Sequence, residues 1–179
     1  MIETKRVKIN LGCGREILKD YINLDIVQLE GIDIVHNLDE FPYPFVDNMF
    51  DEVRMKSIME HLENVQKTLE ELWRISKPNA IIIIRVPHFS SLGAFVDPTH
   101  KRFFTYYSFD YYCEDAKKEI SDFSYYSKTK FKMVSRRIIY PKYLKPFEWI
   151  ANTFPKFHEI LLRKFLPARS LHFKLEVIK

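Results

Sequence analysis

Two glycines and an aspartate near the N-terminus have the types and spacing of a ligand-binding turn. Gly12 and Gly14 directly follow the apolar run Val7–Leu11, and Asp25 comes only 11 residues after Gly14. Glycine permits positive φ angles and lets backbone amides approach a ligand closely. In the dinucleotide fingerprint G-x-G-x-x-G, the third glycine would fall at Ile17, and the acid would lie about 20 residues on. The pattern therefore predicts a turn for a smaller or less anionic group than a pyrophosphate.

A second set of chemically capable side chains lies in the stretch Ser90–Tyr112, which mixes charge and aromatic rings without a regular period. Lys101 and Arg102 could bind a carboxylate or a phosphate. The aromatic residues, Phe104 among them, could stack on a ring or cover a sugar. The alternative is a hydrophobic cover over a sheet, with the charges solvated.

Histidines and carboxylates in this half of the chain also raise the question of a metal ion. His88, Asp97 and His100 could form a set of two histidines and one carboxylate. Their spacing in the sequence is loose, and Cys13 and Cys113 show neither metal-ligand nor disulfide spacing. We therefore assign no metal from the sequence.

The first half of the chain alternates predicted strands with loops and a helix, which would position these residues. Glu60–Ser76 has the periodicity of an amphipathic helix, and the run IIIIRV is typical of a strand buried on both faces. Predicted strands are Val7–Leu11, Tyr21–Ile26, Ile32–His36, Phe50–Met55 and Ile81–Val86. This alternation favours an α/β fold with a largely parallel sheet.

The second half contains two further predicted strands, Phe131–Tyr140 and Leu171–Ile178. Between them, Glu148–Leu166 predicts an apolar helix broken near Pro155. A basic, apolar helix could lie on a membrane surface or meet a lipid-linked substrate, but packing on its own sheet is favoured. We expect one domain over residues 1–179, with residues 89–130 inserted as an acceptor-binding or lid segment.

Composition indicates a globular chain, with 46% hydrophobic and 29% charged residues among 179. No apolar run reaches the roughly 18 residues of a transmembrane helix, and the N-terminus lacks a signal sequence, so a cytoplasmic location is expected. After residue 95 the chain has 17 lysines and arginines against 9 acids, a net charge of +8. That excess suggests an anionic substrate or surface, or simply a solvated lysine-rich face.

Six segments, taken in order, resemble the small class I methyltransferases that use S-adenosylmethionine, the type 11 group. They are NLGCG, NLDI, DIVHNL, FPYPFVDNMFDEV, IMEHLENV and ISKPNAIIIIRVPH. The resemblance covers roughly Val7 to His88 well and the remainder more thinly. It implies an α/β, Rossmann-like class I methyltransferase fold: a mostly parallel seven-stranded sheet with helices on both faces and an antiparallel last strand. It also implies S-adenosyl-L-methionine as the cofactor.

The resemblance assigns cofactor-binding roles by position. The Gly12 to Gly14 turn would pack against the methionine part, and Asp25 would accept hydrogen bonds from both ribose hydroxyls. Asn37 and the Leu38 amide would read the adenine. The other cofactor-binding residues predicted from the same segments are Asn10, Cys13, Ile26, Ser57, Ile58 and His61.

Methyl transfer from a sulfonium depends mainly on proximity and alignment. A base is needed only if the acceptor is a hydroxyl or a protonated amine. The predicted catalytic residues are His88, His100 and Asp97, with His61 as a further candidate base. The predicted acceptor-binding residues are Lys101, Arg102 and Phe104.

The sequence thus predicts a methyltransferase acting on a small-molecule or sugar-containing acceptor. One alternative is RNA methylation, because the second half is basic and aromatic, although no recognised RNA-binding segment is present. Another is a non-catalytic cofactor-binding protein of the same fold. The oligomeric state is not predicted.

Overall fold

A seven-stranded sheet forms the centre of the computed structural model, which describes residues 6–114, 127 and 129–179. The strand order is β3-β2-β1-β4-β5-β7-β6. The strands are β1 Lys8–Leu11, β2 Ile22–Asp25, β3 Ile34–Val35, β4 Phe50–Lys56, β5 Ser76–Pro87, β6 Lys130–Ile139 and β7 Ser170–Ile178. β7 runs antiparallel to both of its neighbours, and the other pairs are parallel. The predicted α/β class, with a mostly parallel sheet and an antiparallel last strand, is confirmed.

The α-helices among the described residues are α1 Val65–Ile75, α2 Glu148–Thr153 and α3 Pro155–Ile160. The predicted start of the first helix at Glu60 is wrong. Met59–His61 form a separate 3-10 turn, and α1 begins only after Asn64, whose side chain accepts a hydrogen bond from the Lys67 amide at 2.9 Å. The predicted break near Pro155 is confirmed, because this proline opens α3.

One face of the sheet carries the apolar core. Ile9, Val53, Ile82 and Leu175 lie in register across β1, β4, β5 and β7, and all four side chains are fully buried. Helix α1 contributes Leu72 to the same cluster. This face supplies the hydrophobic stabilisation of the fold.

The opposite face of the central strands is polar. Arg54, Ile83 and Lys174 lie in register there, one position along from the apolar row. The expectation that the IIIIRV run is buried on both faces is therefore wrong: Ile82 is fully buried, whereas Ile81 is only partly so. The reason is the neighbouring charged side chains, which keep that face of β5 hydrated.

No helix separates β1 from β2, as the short gap to Asp25 predicts. Two asparagines organise the connection instead. Asn10 Nδ2 donates to the Glu16 carbonyl at 2.9 Å, and Asn23 Oδ1 accepts from the Leu18 amide at 3.0 Å. These side chains satisfy backbone groups that a helix would have paired internally. The connection therefore stays short and holds the glycine turn close to the end of β2.

Candidate functional site

The glycine turn at the end of β1 is in close contact with the segment that follows β4. Gly12 has a φ of +62°, and a Cβ placed there would lie 2.4 Å from Ile58 Cγ1. Gly14 has a φ of +52°, but a Cβ there would meet nothing within 4 Å. Gly12 is thus required for two reasons, its backbone conformation and its contact with Ile58, and Gly14 for the first alone.

Asp25, at the end of β2, is fixed against this turn. Its Oδ2 accepts a hydrogen bond from the Gly14 amide at 2.7 Å, and its Oδ1 accepts a longer one, 3.3 Å, from the Val27 amide. A carboxylate has about four lone-pair sites. The backbone therefore orients the group while leaving acceptor capacity on both oxygens.

These residues border a cavity of about 340 Å³ at the carboxyl ends of the strands. It is lined by Gly12, Asp25, Ile26, His36, Asn37, Leu38, Asp39, Ile58, His61 and Leu62. Seven of these ten are predicted cofactor-binding residues. His36, Asp39 and Leu62 were not predicted from the sequence. Each is the direct neighbour of a predicted residue, and that adjacency could have identified them.

The other predicted cofactor-binding residues lie off this lining. Asn10 is buried and its amide is occupied in the turn, as described above. The Gly14 amide donates to Asp25. Burial, and then the nearby Asp25 carboxylate, raises the pKa of the Cys13 thiol to about 11, so the thiol stays neutral near pH 7. Ser57 borders a separate cavity together with Arg169.

A hydrogen-bonded turn holds the cavity-lining residues Asn37, Leu38 and Asp39. Asn37 Oδ1 accepts from the Asp39 amide at 3.1 Å, and its Nδ2 donates to Glu40 Oε1 at 3.3 Å. Asp39 Oδ1 in turn accepts from the Glu63 amide at 2.8 Å. This turn fixes the backbone around Leu38, whose amide is predicted to bind the adenine ring.

His61, which also lines the cavity, contacts the loop that contains residues 94–102. Its Nδ1 lies 2.9 Å from Thr99 Oγ1, and its ring packs edge-on against His100 with centroids 4.7 Å apart. Asp97 accepts hydrogen bonds from the Thr99 amide and hydroxyl. The predicted residues His61, Asp97 and His100 therefore come together at this rim.

The rim loop is also fastened to Glu60 through the backbone. The carbonyl oxygen of Glu60 accepts from the amides of Lys101 and Arg102, at 2.8 and 3.1 Å. The Glu60 side chain is buried, and that burial raises the pKa of its carboxyl to about 7. Sequence reasoning treated Glu60 as an ordinary start of a helix and missed its burial.

The predicted acceptor-binding residues separate into exposed and buried positions. Lys101 is exposed and forms a 2.6 Å ion pair with Glu63, whose carbonyl accepts from Arg102. Phe104 is buried and stacks on Phe109 with ring centroids 5.6 Å apart, so its ring belongs to the core. Residues 115–126 and 128 of the predicted lid segment lie outside the described residues.

The predicted catalytic residue His88 lies in a different cluster. It is fully buried, its Nδ1 is 2.7 Å from Ser90 Oγ, and its Nε2 is 3.2 Å from Glu159 Oε1. Its ring packs against His158. Among the described residues, the groupings close enough to share a metal place His88 with His158 and Glu159, so the alternative metal set of His88, Asp97 and His100 is wrong.

Comparison with known proteins agrees with this architecture. A family model described as a methyltransferase domain matches residues 27–84. An S-adenosylmethionine-dependent methyltransferase from Archaeoglobus fulgidus is 19% identical, over 96% of this chain and 86% of that one, with a TM-score of 0.56. A second, from Mesorhizobium loti, is 11% identical over 96% and 90%, with a TM-score of 0.54. No curated protein matches the chain.

The chain therefore has the class I methyltransferase fold. Both of these structural neighbours are named as S-adenosylmethionine-dependent enzymes. The [4+2]-cyclase SpnF shares the fold at 10% identity over 99% of this chain and 76% of that one, with a TM-score of 0.57. Since a protein named as a cyclase has this architecture, the fold alone does not define the reaction.

Proposed function

We propose that this protein is an S-adenosylmethionine-dependent methyltransferase that acts on a small-molecule or glycan-type acceptor. The observation that carries the proposal is the hydrogen bond between Asp25 and the glycine turn beside the cavity. The Asp25 carboxylate keeps unused lone pairs, and the turn has the positive φ angles that favour glycine. That combination suits a nucleoside whose sugar hydroxyls bind the acid.

The cavity walls suggest how the cofactor would lie. Asp25 would accept the two ribose hydroxyls, one on each oxygen. The adenine would lie along Asn37 and the Leu38 amide, against the apolar side chain of Ile58. The methionine part would then reach past Gly12, where the missing side chain leaves room.

The acceptor would approach from the rim formed by His61 and the loop of residues 94–102. We assign the predicted catalytic pair His100 and Asp97 to this side because both cluster with His61, which borders the cavity. The cationic Lys101 and Arg102 are exposed on the same loop, where an anionic acceptor would compete with Glu63 for Lys101. His88, being buried and hydrogen-bonded to Glu159, would act as a positioning residue.

No helix among the described residues is long and apolar enough to cross a membrane.

Calorimetric titration with S-adenosylmethionine and with its demethylated product tests the proposal. We expect saturable binding of both, with NADH as a non-binding control because the turn lacks the dinucleotide pattern. Absence of binding would overturn the assignment. Turnover is then followed as formation of the demethylated product on hydroxylated, sugar-containing and RNA acceptors. Methylation of RNA in preference to small acceptors would favour an RNA methyltransferase. Cofactor binding without turnover on any acceptor would favour a non-catalytic cofactor-binding protein.

A further inference from the structure

The Glu60 carboxylate has no visible reason to be buried. The residue is 1% exposed, and within the described part of the chain neither carboxylate oxygen has a hydrogen-bond partner. Burying a carboxyl group, ionised or neutral, is costly unless it is hydrogen-bonded, paired with a charge or bound to a metal. An orphaned acid in a folded core therefore points to a missing partner.

Two histidines stand beside this carboxylate. One ring nitrogen of His61, one of His100 and one oxygen of Glu60 all lie within 4.8 Å of one another. His61 and Glu60 share one 3-10 turn, and His100 is brought in by the rim loop. The sequence separation of 40 residues explains why no spacing pattern revealed the group.

The hydrogen bonds around the histidines leave one nitrogen of each available. His100 Nδ1 faces the Ala94 carbonyl at 3.0 Å, so it must carry the proton. The Thr99 hydroxyl donates to Asp97 at 2.6 Å and therefore accepts from His61 Nδ1. In its neutral form each ring then keeps the lone pair on Nε2, and this nitrogen of His100 also lies 3.9 Å from Asp97 Oδ2. Outer partners of this kind are usual for histidines that bind metals.

We propose that Glu60, His61 and His100 bind a divalent first-row transition-metal ion, such as Zn²⁺, at the edge of the cavity. Two imidazoles and a carboxylate are a common ligand set for such ions, and three protein ligands leave a position open. If the proposed function holds, that position would receive an oxygen of the methyl acceptor, since His61 also borders the cofactor cavity. Metal binding itself does not depend on that role.

The second histidine group provides an internal control. In the cluster of His88, His158 and Glu159, the carboxylate is already satisfied: Glu159 Oε1 accepts from the Tyr106 amide at 2.8 Å and lies 3.2 Å from His88 Nε2. His88 Nδ1 is also engaged, with Ser90. Both ring nitrogens of the buried His158 lack a hydrogen-bond partner among the described residues, but the acid of this cluster is satisfied, unlike Glu60.

The test is titration of the chelator-treated full chain with Zn²⁺, and separately with Co²⁺, in the absence of any nucleoside. We expect one ion per chain and a visible Co²⁺ absorption spectrum typical of nitrogen and oxygen ligands. Glu60→Gln and His100→Gln should each weaken binding by at least about 100-fold. His158→Gln, in the control cluster, should leave the affinity unchanged. Circular dichroism would establish that each variant is folded.

Absence of saturable binding to the wild type would overturn the metal site. So would unchanged affinity in folded Glu60→Gln, or loss of binding in His158→Gln alone. Calorimetry with the demethylated cofactor on the same metal-free sample separates this inference from the proposed function. Cofactor binding without metal binding defeats only the metal site, and metal binding without cofactor binding defeats only the methyltransferase assignment.

Discussion

The Asp25 carboxylate accepts a hydrogen bond from the Gly14 amide at 2.7 Å, which links the end of β2 to the turn that follows β1. This bond fixes the distance between the two parts of the proposed nucleoside site. The geometry requires no helix between the two strands, and none is present.

Replacing Asp25 should weaken cofactor binding. Asp25→Ala should reduce the binding free energy of the demethylated cofactor by about 1.5–3 kcal/mol, the range for hydrogen bonds to a charged group. Asp25→Asn keeps the shape and should show most of the same loss. Calorimetry would measure both against the exposed Asp20→Ala as a control. Equal affinities in all three variants would remove Asp25 from the site.

Alanine at the two glycines should have unequal effects on stability. Gly14→Ala meets no atoms and should cost about 1–2 kcal/mol for the left-handed backbone alone. Gly12→Ala adds a clash with Ile58 and should cost roughly 1–3 kcal/mol more. Urea unfolding would compare them, and Ile58→Ala in the Gly12→Ala background should recover part of the difference. Equal losses at the two positions would contradict the close contact.

Arg74 should be important for the loop before β4. Its guanidinium donates to the Tyr43 and Phe45 carbonyls and pairs with Glu71 and Asp47, and these acids raise its pKa further above its usual value. Arg74→Ala should lower the free energy of unfolding by about 2–3 kcal/mol.

Lysine should not replace the fork geometry of Arg74, so Arg74→Lys should recover little of that loss. The exposed Lys67→Ala on the same helix should change stability by less than about 0.5 kcal/mol. Denaturant midpoints would measure all three variants, and a wild-type midpoint for Arg74→Lys would show that charge alone is sufficient.

His172 should make stability depend on pH on the acid side. Burial, and then the facing Arg85, lowers the pKa of its imidazole to about 4. In the unfolded chain the pKa is about 6.5. Between these values the unfolded state binds more protons, so the stabilisation is complete above pH ~6.5 and is lost as the pH falls to ~4.

The full shift corresponds to about 3 kcal/mol, and partial solvent screening reduces the expected contribution to roughly 1–2 kcal/mol. His172→Gln should lose this part of the pH dependence while keeping the part due to carboxylates. The free energy of unfolding, measured at pH 7 and at pH 5, should therefore change less in His172→Gln than in the wild type. Identical differences would contradict the assignment.

The sequence predicted the cofactor side of the site because its information is local. Gly12, Gly14 and Asp25 lie within one strand-turn-strand unit, so their types and spacing already define the turn. The strands of the sheet could also be predicted from the sequence, since β-branched runs separated by turns are recognised without knowing their distant partners.

The acceptor side depends on contacts between distant parts of the chain and could not be predicted. His88 and His100 are close in sequence, yet the fold places the first with Glu159 and the second with Glu60. Glu60 resembled a favourable acid at a helix start, and only its burial without a partner distinguishes it. The IIIIRV run failed for a related reason, because the charged residues beside it come from other strands.

Glu60 presents its backbone carbonyl to the amides of Lys101 and Arg102 and its carboxylate to the ring of the neighbouring His100. The backbone of Glu60 thus attaches the loop directly, and its carboxylate would attach it a second time through the proposed metal ion. Any outward swing of the loop would separate both attachments in a single event, so admission of an acceptor and release of a coordinated cation would be thermodynamically linked.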